Sequence, residues 1–279
     1  MGLGKSGSAA LKETVKAHWE AEVCGSRNAA DSGDRKQFFE TIDATRYEQD
    51  YMIPGFAQFE DAKGKRVLEV GLGTGGDFMR WVRAGAIAYG RDLTHASVRV
   101  VTERLDLEGL QADVATGDAE SLEFPDNFFD IYYSWGVLHH TPDPELAFAE
   151  AYRVLKPGGV LKIMLYHRHS VGALLVWLAN GPLRLNFKSP RQVYADHVES
   201  PGTKSYTVSE ARRSMEKNFT NSPAEIRTYL GAGDLLIQKF SGRYSGLHWR
   251  VIKALYPRWL IKTVAGNRFG TVLTIRAVK

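Results

Sequence analysis

A single cysteine, Cys24, stands in 279 residues, so no internal disulfide can staple this chain. That scarcity suits a reducing compartment, and a cytoplasmic location is expected. No apolar run is long enough to cross a bilayer, and Gly172 to Ala179, an apolar helical stretch, is far too short. The first residues are Gly, Ser and Lys, without the apolar core of a signal peptide. Charge of one sign is scarce too: the formal +4 is small for this length and by itself no argument for nucleic acid. Neither an internal repeat nor a low-complexity tract is present. What remains is the composition of a soluble globular protein, long enough to bury one large core with insertions. Gly2-Leu3-Gly4-Lys5-Ser6 ends like a phosphate-binding loop, but no strand precedes it and the first loop glycine is missing. Met1-Gly2 with Ser6 fits a short myristoylation pattern, for which a flexible tail is the simpler reading.

Glycine, by contrast, is concentrated. Val67-Leu68-Glu69-Val70 reads as a buried strand that runs into Gly71-Leu72-Gly73-Thr74-Gly75-Gly76, and a helix is expected from about Asp77. Without a Cβ, such a turn lets the backbone touch a ligand, and the helix N-terminus adds free N–H groups. A nucleoside-containing cofactor is therefore expected. Gly71, Gly73 and Gly76 satisfy the dinucleotide spacing; Glu69, Gly71, Gly73 and Gly75 satisfy E-x-G-x-G-x-G, the S-adenosylmethionine spacing. The glycines alone leave both open.

Later segments narrow the choice. A second strand, Ala86 to Arg91, ends in Asp92, about 20 residues past the loop, where a carboxylate can accept ribose hydroxyls. A short third strand leads to Thr116-Gly117-Asp118-Ala119-Glu120, where a carboxylate can accept an adenine amino group. Phe128 to Trp135 reads as strand four, followed by Gly136-Val137-Leu138-His139-His140; Leu155-Lys156-Pro157-Gly158-Gly159 is a turn into strand five. This ordered set, from Arg66 to Tyr166, resembles the class I S-adenosylmethionine-dependent methyltransferases, close to a small-molecule branch with "VLHH" and "LKPGG" segments. Trp19, Cys24-Gly25 and Arg46-Tyr47 are similar to the lead segment of a bacterial subgroup.

The resemblance implies S-adenosyl-L-methionine as cofactor and assigns roles. Glu69, Gly71, Gly73 and Gly75, with Thr74 in the same loop, shape the methionine end; Asp92 holds the ribose; Leu93, Asp118 and Ala119 meet adenine. Ser134, Trp135 and His139 lie near the sulfonium or the acceptor. His139 is the first general-base candidate and His167, at the end of strand five, the second. Trp19, Tyr47 and Tyr166 are substrate-side candidates, and Arg46 is placed to pair with a carboxylate. The four histidines at 139, 140, 167 and 169 lack a carboxylate or thiol at a familiar spacing, so no metal is expected.

The expected fold is α/β, a doubly wound, mostly parallel seven-stranded sheet. Residues 1–60 form an N-terminal helical lid, 61–169 and 223–279 the cofactor-binding core, and 170–222 an inserted substrate cap. The spacing predicts a helix over Leu11 to Val23, a helix opened by Asp143-Pro144, and a capping box at Thr207 and Glu210. Asn186 to Lys204 reads as loop, Ala224 to Leu230 as strand six, Gly246 to Val264 as helical, and Thr271 to Val278 as the last strand. Arg191, Arg212, Arg213, Lys217, Lys239, Arg243 and Arg250 read as scattered rather than as a nucleic-acid groove. A small-molecule acceptor is therefore expected, with two copies pairing through the cap. A nicotinamide oxidoreductase and an inactive cofactor-binding scaffold are the alternatives.

Overall fold

The computed structural model describes residues 5–26, 34–182, 187–198, 200–220, 223–237 and 254–279. Its centre is one seven-stranded sheet in the order β3-β2-β1-β4-β5-β7-β6. The strands are β1 (Arg66–Val70), β2 (Ile87–Asp92), β3 (Asp113–Thr116), β4 (Phe129–Trp135), β5 (Leu155–Tyr166), β6 (Glu225–Tyr229) and β7 (Val272–Val278). Pairs among β1 to β5 are parallel, and β7 runs antiparallel to both β5 and β6. The α/β class and mostly parallel sheet are those expected from the sequence.

The helices are α1 (Lys5–Ala21), α2 (Arg35–Gln49), α3 (Ile53–Ala57), α4 (Gly76–Arg83), α5 (His95–Glu108), α6 (Pro144–Val154), α7 (Val171–Asn180), α8 (Pro190–His197), α9 (Val208–Glu216) and α10 (Arg258–Val264). Helices α4, α5 and α6 link β1 to β2, β2 to β3 and β4 to β5, while β3 passes to β4 without one, and both sheet faces acquire a core. Leu68, Phe129, Tyr132, Phe148 and Leu161 pack on one side; Phe78, Trp81, Val101, Ile131 and Tyr133 pack on the other. Successive strand residues point to opposite faces, which is why Tyr132 and Tyr133 fall into different clusters.

Several ends follow their local chemistry. Asp143 caps α6 with Pro144 at its first position, and Thr207 and Glu210 form the capping box of α9. Other boundaries differ from the sequence reading. β5 begins at Leu155 rather than after the Pro-Gly-Gly turn, because Leu155 pairs with Phe129 before a register shift brings Val160 beside Ile131. The stretch read as loop from Asn186 to Lys204 contains α8, whose Ser189 and Gln192 make a second capping box ahead of the buried Val193 and Tyr194. Of the helical element expected over Gly246 to Val264, α10 is present; residues 246–253 lie outside the described residues, as do Lys239, Arg243, Arg250 and the first three residues, 2–4, of the phosphate-loop look-alike, whose last two open α1. Among the described residues no helix is long and apolar enough to cross a membrane.

Candidate functional site

The C-terminal ends of the parallel strands share one edge, the usual ligand edge of an open α/β sheet. There the glycine loop leaves β1. Gly71, Gly73 and Gly75 all have positive φ, at 84°, 51° and 79°. Two are also hemmed in: a Cβ on Gly71 would lie 2.1 Å from Val137, and one on Gly75 would lie 2.7 Å from Val101. Gly73 faces the Cys24 carbonyl, 3.3 Å from where its Cβ would stand. The segment after α1 therefore rests on the loop. The Thr74 carbonyl accepts from Arg104 at 3.0 Å, and Arg104 also grips Asp43 of α2, at 2.6 and 3.1 Å.

Asp92 ends β2 as expected, but its carboxylate turns inward. Oδ2 accepts from the Leu72 and Gly73 amides at 2.7 and 3.4 Å; Oδ1 accepts from the Thr94 amide and hydroxyl at 2.9 and 2.7 Å. It thus fixes the glycine loop. Leu93 beside it is half-buried. Asp118 follows β3, with Oδ1 accepting from the Glu120 amide at 2.9 Å and Oδ2 from Lys12 of α1 at 2.5 Å. Ala119 is buried in the core. Glu20, also of α1, accepts from the His95 amide at 2.8 Å. The first helix is therefore pinned along the tips of β2 and β3.

Beneath the loop lies a polar cluster with one carboxylate at its centre. Asp77, in the first turn of α4, accepts from Arg46 Nε at 3.0 Å, from a second Arg46 nitrogen, from Tyr47 at 2.9 Å and from Tyr133 at 2.8 Å. Burial opposes its charge, but Arg46 and these donors prevail and hold its carboxyl below the usual range. Glu69 is the opposite case. Burial, with the Asp77 charge nearby, pushes its carboxyl well above the usual range, and its Oε2 has no hydrogen-bond partner. So Tyr47 and Arg46, expected on the ligand side, are engaged by Asp77. The sequence reading gave Asp77 no role. An acid in the first turn after a glycine loop was its only visible signal.

The loop after β4 forms the other wall. Ser134 is buried, and its hydroxyl donates to the Val70 carbonyl at 2.8 Å, tying β4 to β1. Trp135 packs edge-on against Phe56 of α3, beside Met52, Met164 and Val272. His139 is fully buried, with ring centroids 4.3 Å from His140 and 4.2 Å from Tyr166. Neither of its ring nitrogens has a hydrogen-bond partner. Burial, then the charges of His140 and Lys204, push its pKa well below the usual imidazole range, so the ring is neutral. His140 meets Ser200 and Thr203 through Nδ1 and Trp19 across 5.6 Å. Thus Trp19, His139, His140 and Tyr166 come together, and Tyr194 of α8 joins them, 6.0 Å from Tyr166. His167 is not in this group. Its Nδ1 lies 3.0 Å from the Gly270 carbonyl, on the β7 side.

Among the described residues no group of three or more His, Cys, Asp or Glu is arranged to hold a metal. Three of the basic residues read as scattered, Arg191, Arg213 and Lys217, line one groove of about 310 Å³ with Arg168 and Lys204. The scatter was an effect of sequence distance, because the segment after β5, α8, the segment before α9 and α9 itself converge there.

The "Methyltransferase domain" family matches residues 68–163, from the middle of β1 to near the end of β5. Phthiotriol/phenolphthiotriol dimycocerosates methyltransferase 1 of Mycobacterium ulcerans is 35% identical over 170 residues, covering 60% of this chain and 59% of that protein. A ubiquinone/menaquinone biosynthesis C-methyltransferase, UbiE, of Dinoroseobacter shibae is 38% identical over 120 residues, 41% of this chain and 45% of that one. The chain spans about half the length of such relatives. In fold it is similar to the [4+2]-cyclase SpnF, with a TM-score of 0.58, 17% identity and coverage of 100% and 97% of the two chains.

Proposed function

From the premise that residues 68–163 are a class I S-adenosylmethionine-dependent methyltransferase domain, we propose that the whole chain methylates a small-molecule acceptor with an apolar body. One observation carries the reading: a single strand edge gathers the glycine loop, Asp92, Asp118 and the His139–Tyr166 ring contact under one clamped helix. Of the two cofactor classes open to the glycine spacing, the family match takes S-adenosylmethionine.

The residues present suit that cofactor. Glu69 keeps an unpartnered buried oxygen beneath the loop, which fits the donor's ammonium group. The glycine loop with Thr74 would hold the methionine end. Asp92, whose longest contact is the 3.4 Å one with Gly73, would hold the ribose, and Leu93, Asp118 and Ala119 the adenine. Ser134 and Trp135 would border the sulfonium. When bound, the donor supplies a methyl group on a positively charged sulfur, which departs as a neutral thioether when an acceptor lone pair attacks in line.

The chain's own work is alignment and exclusion of water, and alignment alone contributes about 7–11 kcal/mol. α1 and the segment ending at Gly25 serve as a lid over the glycine loop. Met52, Met164, Val272, Trp135 and Tyr166 would offer the acceptor an apolar wall, with Trp19, beside His140, and Tyr47, held by Asp77, as further substrate-side residues. The relatives' names, which cite dimycocerosates and quinones, point to the same acceptor class. His139, neutral and unpartnered, would take the acceptor's proton on a ring nitrogen; His167, tied to Gly270, is the secondary base. Residues 170–222 act as the substrate cap, and the exposed Leu174 and Leu178 of α7 support pairing of two copies. Cytoplasmic residence and a non-nucleic-acid acceptor complete the reading.

Two measurements test it. Calorimetry on the full chain should show binding of S-adenosylmethionine and its demethylated product and none of NAD. Incubation with methyl-labelled donor and an organic-solvent extract of cells should move label into an apolar product. Donor binding without label transfer to any extract would leave a cofactor-binding scaffold instead.

A further inference from the structure

From Leu235 to Lys279 the chain carries nine Lys and Arg residues and no Asp or Glu. The described part of this stretch adjoins the ligand edge, because β7 begins at Val272, paired with Tyr166. Just before it, α10 buries none of its residues. Leu255 is 78% exposed, Trp259 72% and Val264 73%, with Leu260 and Phe269 also exposed. Arg258, Lys262 and Arg268 are interleaved with them. Large apolar side chains left in water forgo roughly 25 cal/mol per Å² of burial, so a concentration of them marks an interaction surface.

The surface is also held in place. Tyr256 donates its hydroxyl to the Asp234 carbonyl at 2.9 Å, and Arg258 Nε donates to the Leu235 carbonyl at 2.9 Å. The Asp234 side chain, fully buried, accepts from the amides of Gly172, Gly231 and Thr271 at 2.7, 2.8 and 2.7 Å. One carboxylate thus fixes the starts of α7 and β7 and the approach to α10.

We propose that this face docks on an anionic phospholipid bilayer, with Leu255, Trp259 and Val264 entering the interface and Lys262 and Arg268 meeting lipid phosphates. A basic element with Trp and Leu on its apolar side has the composition of an interfacial helix, and anionic lipid supplies the missing negative charge. A second copy fits less well, since a two-fold interface sets identical cations against each other. Docking here brings the Tyr166 side of the ligand edge toward the lipid, where an apolar acceptor dissolves. The inference goes beyond the methyl-transfer reading, and its test measures no turnover.

The test is sedimentation of the full chain with vesicles of phosphatidylcholine alone or mixed with phosphatidylglycerol. The chain should sediment with the mixed vesicles, less so as salt rises. Lys262→Glu/Arg268→Glu should lower that partition at least about tenfold. Trp259→Ser/Val264→Ser should lower it by a similar factor. All four side chains point away from the core, so circular dichroism melts should match the parent. No sedimentation of the parent with anionic vesicles overturns the proposal, as does equal partition of the variants. A concentration-dependent dimer abolished by the serine variant, without vesicle binding, assigns the face to a second copy and overturns it too.

Discussion

Lys12 of α1 places its ammonium 2.5 Å from Asp118 and 2.6 Å from Glu120, across the tip of β3. With Glu20 on the His95 amide, it makes α1 a cover latched at both ends of the expected nucleoside position. Lys12→Met removes the latch. Lys12 and Asp118 are partly exposed but the Glu120 side chain is nearly buried, so the stability cost is about 1–3 kcal/mol. The larger effect is expected on closure: donor dissociation several-fold faster by stopped flow, and quicker amide exchange along α1. Unchanged donor kinetics would make α1 mere packing.

Asp77 is the anion on which Arg46, Tyr47 and Tyr133 converge. Asp77→Asn leaves the Arg46 guanidinium without its counter-charge, and unfolding in urea should show a loss of about 2–4 kcal/mol. Arg46→Met in that background should recover part of the loss, because the uncompensated cation is gone. Non-additivity of the two changes is the signature of the pair. Since the native Asp77 carboxyl lies below its ordinary 3.8, the pair's contribution is complete above that value and fades as pH falls through the native one.

That cluster also marks what a linear reading misses. The glycine loop, the β/α alternation and the acids at Asp92 and Asp118 were legible because each combines a local period with a turn residue. Asp77 meets Arg46 from 31 positions away and Tyr133 from 56. No spacing rule links them; only the stacking of α2 and β4 against α4 does. The inward turn of Asp92 was hidden for a related reason, since the donors it meets are backbone amides of Leu72, Gly73 and Thr94, which carry no sequence signal. α8 was lost because Ser189 and Gln192 sit among basic and polar residues that resemble loop, although their pairing is a helix start.

His139 is predicted to act as a neutral base. His139→Ala should lower kcat about 100-fold or more with the donor KM little changed, the range for loss of general-base help. Its depressed pKa means the ring is already deprotonated at neutral pH, so kcat should stay flat from pH 6.5 upward. His139→Phe keeps the ring contact with Tyr166 but not the nitrogen. If that variant retains full activity, the ring only packs.

If Glu69 meets the donor as proposed, it ties binding to stability with opposite signs. Its native carboxyl is raised well above 4.5, chiefly by burial and next by the Asp77 charge. Between 4.5 and the raised value the folded chain holds a proton that the unfolded chain has released, so stability falls as pH rises through that interval. The favourable contribution is whole below 4.5 and gone above the native pKa. Glu69→Gln cannot ionise and escapes this loss. Its thermal midpoint should exceed that of the parent at pH 7.5 and converge with it near pH 4.5, read by calorimetric scans across that range. The same substitution removes the carboxylate that would ionise against a ligand ammonium, so affinity for S-adenosylmethionine should fall at least about tenfold. A variant that gains stability and keeps its affinity would place the donor's ammonium elsewhere. One that loses both would mean that Glu69 is already ionised in the native fold.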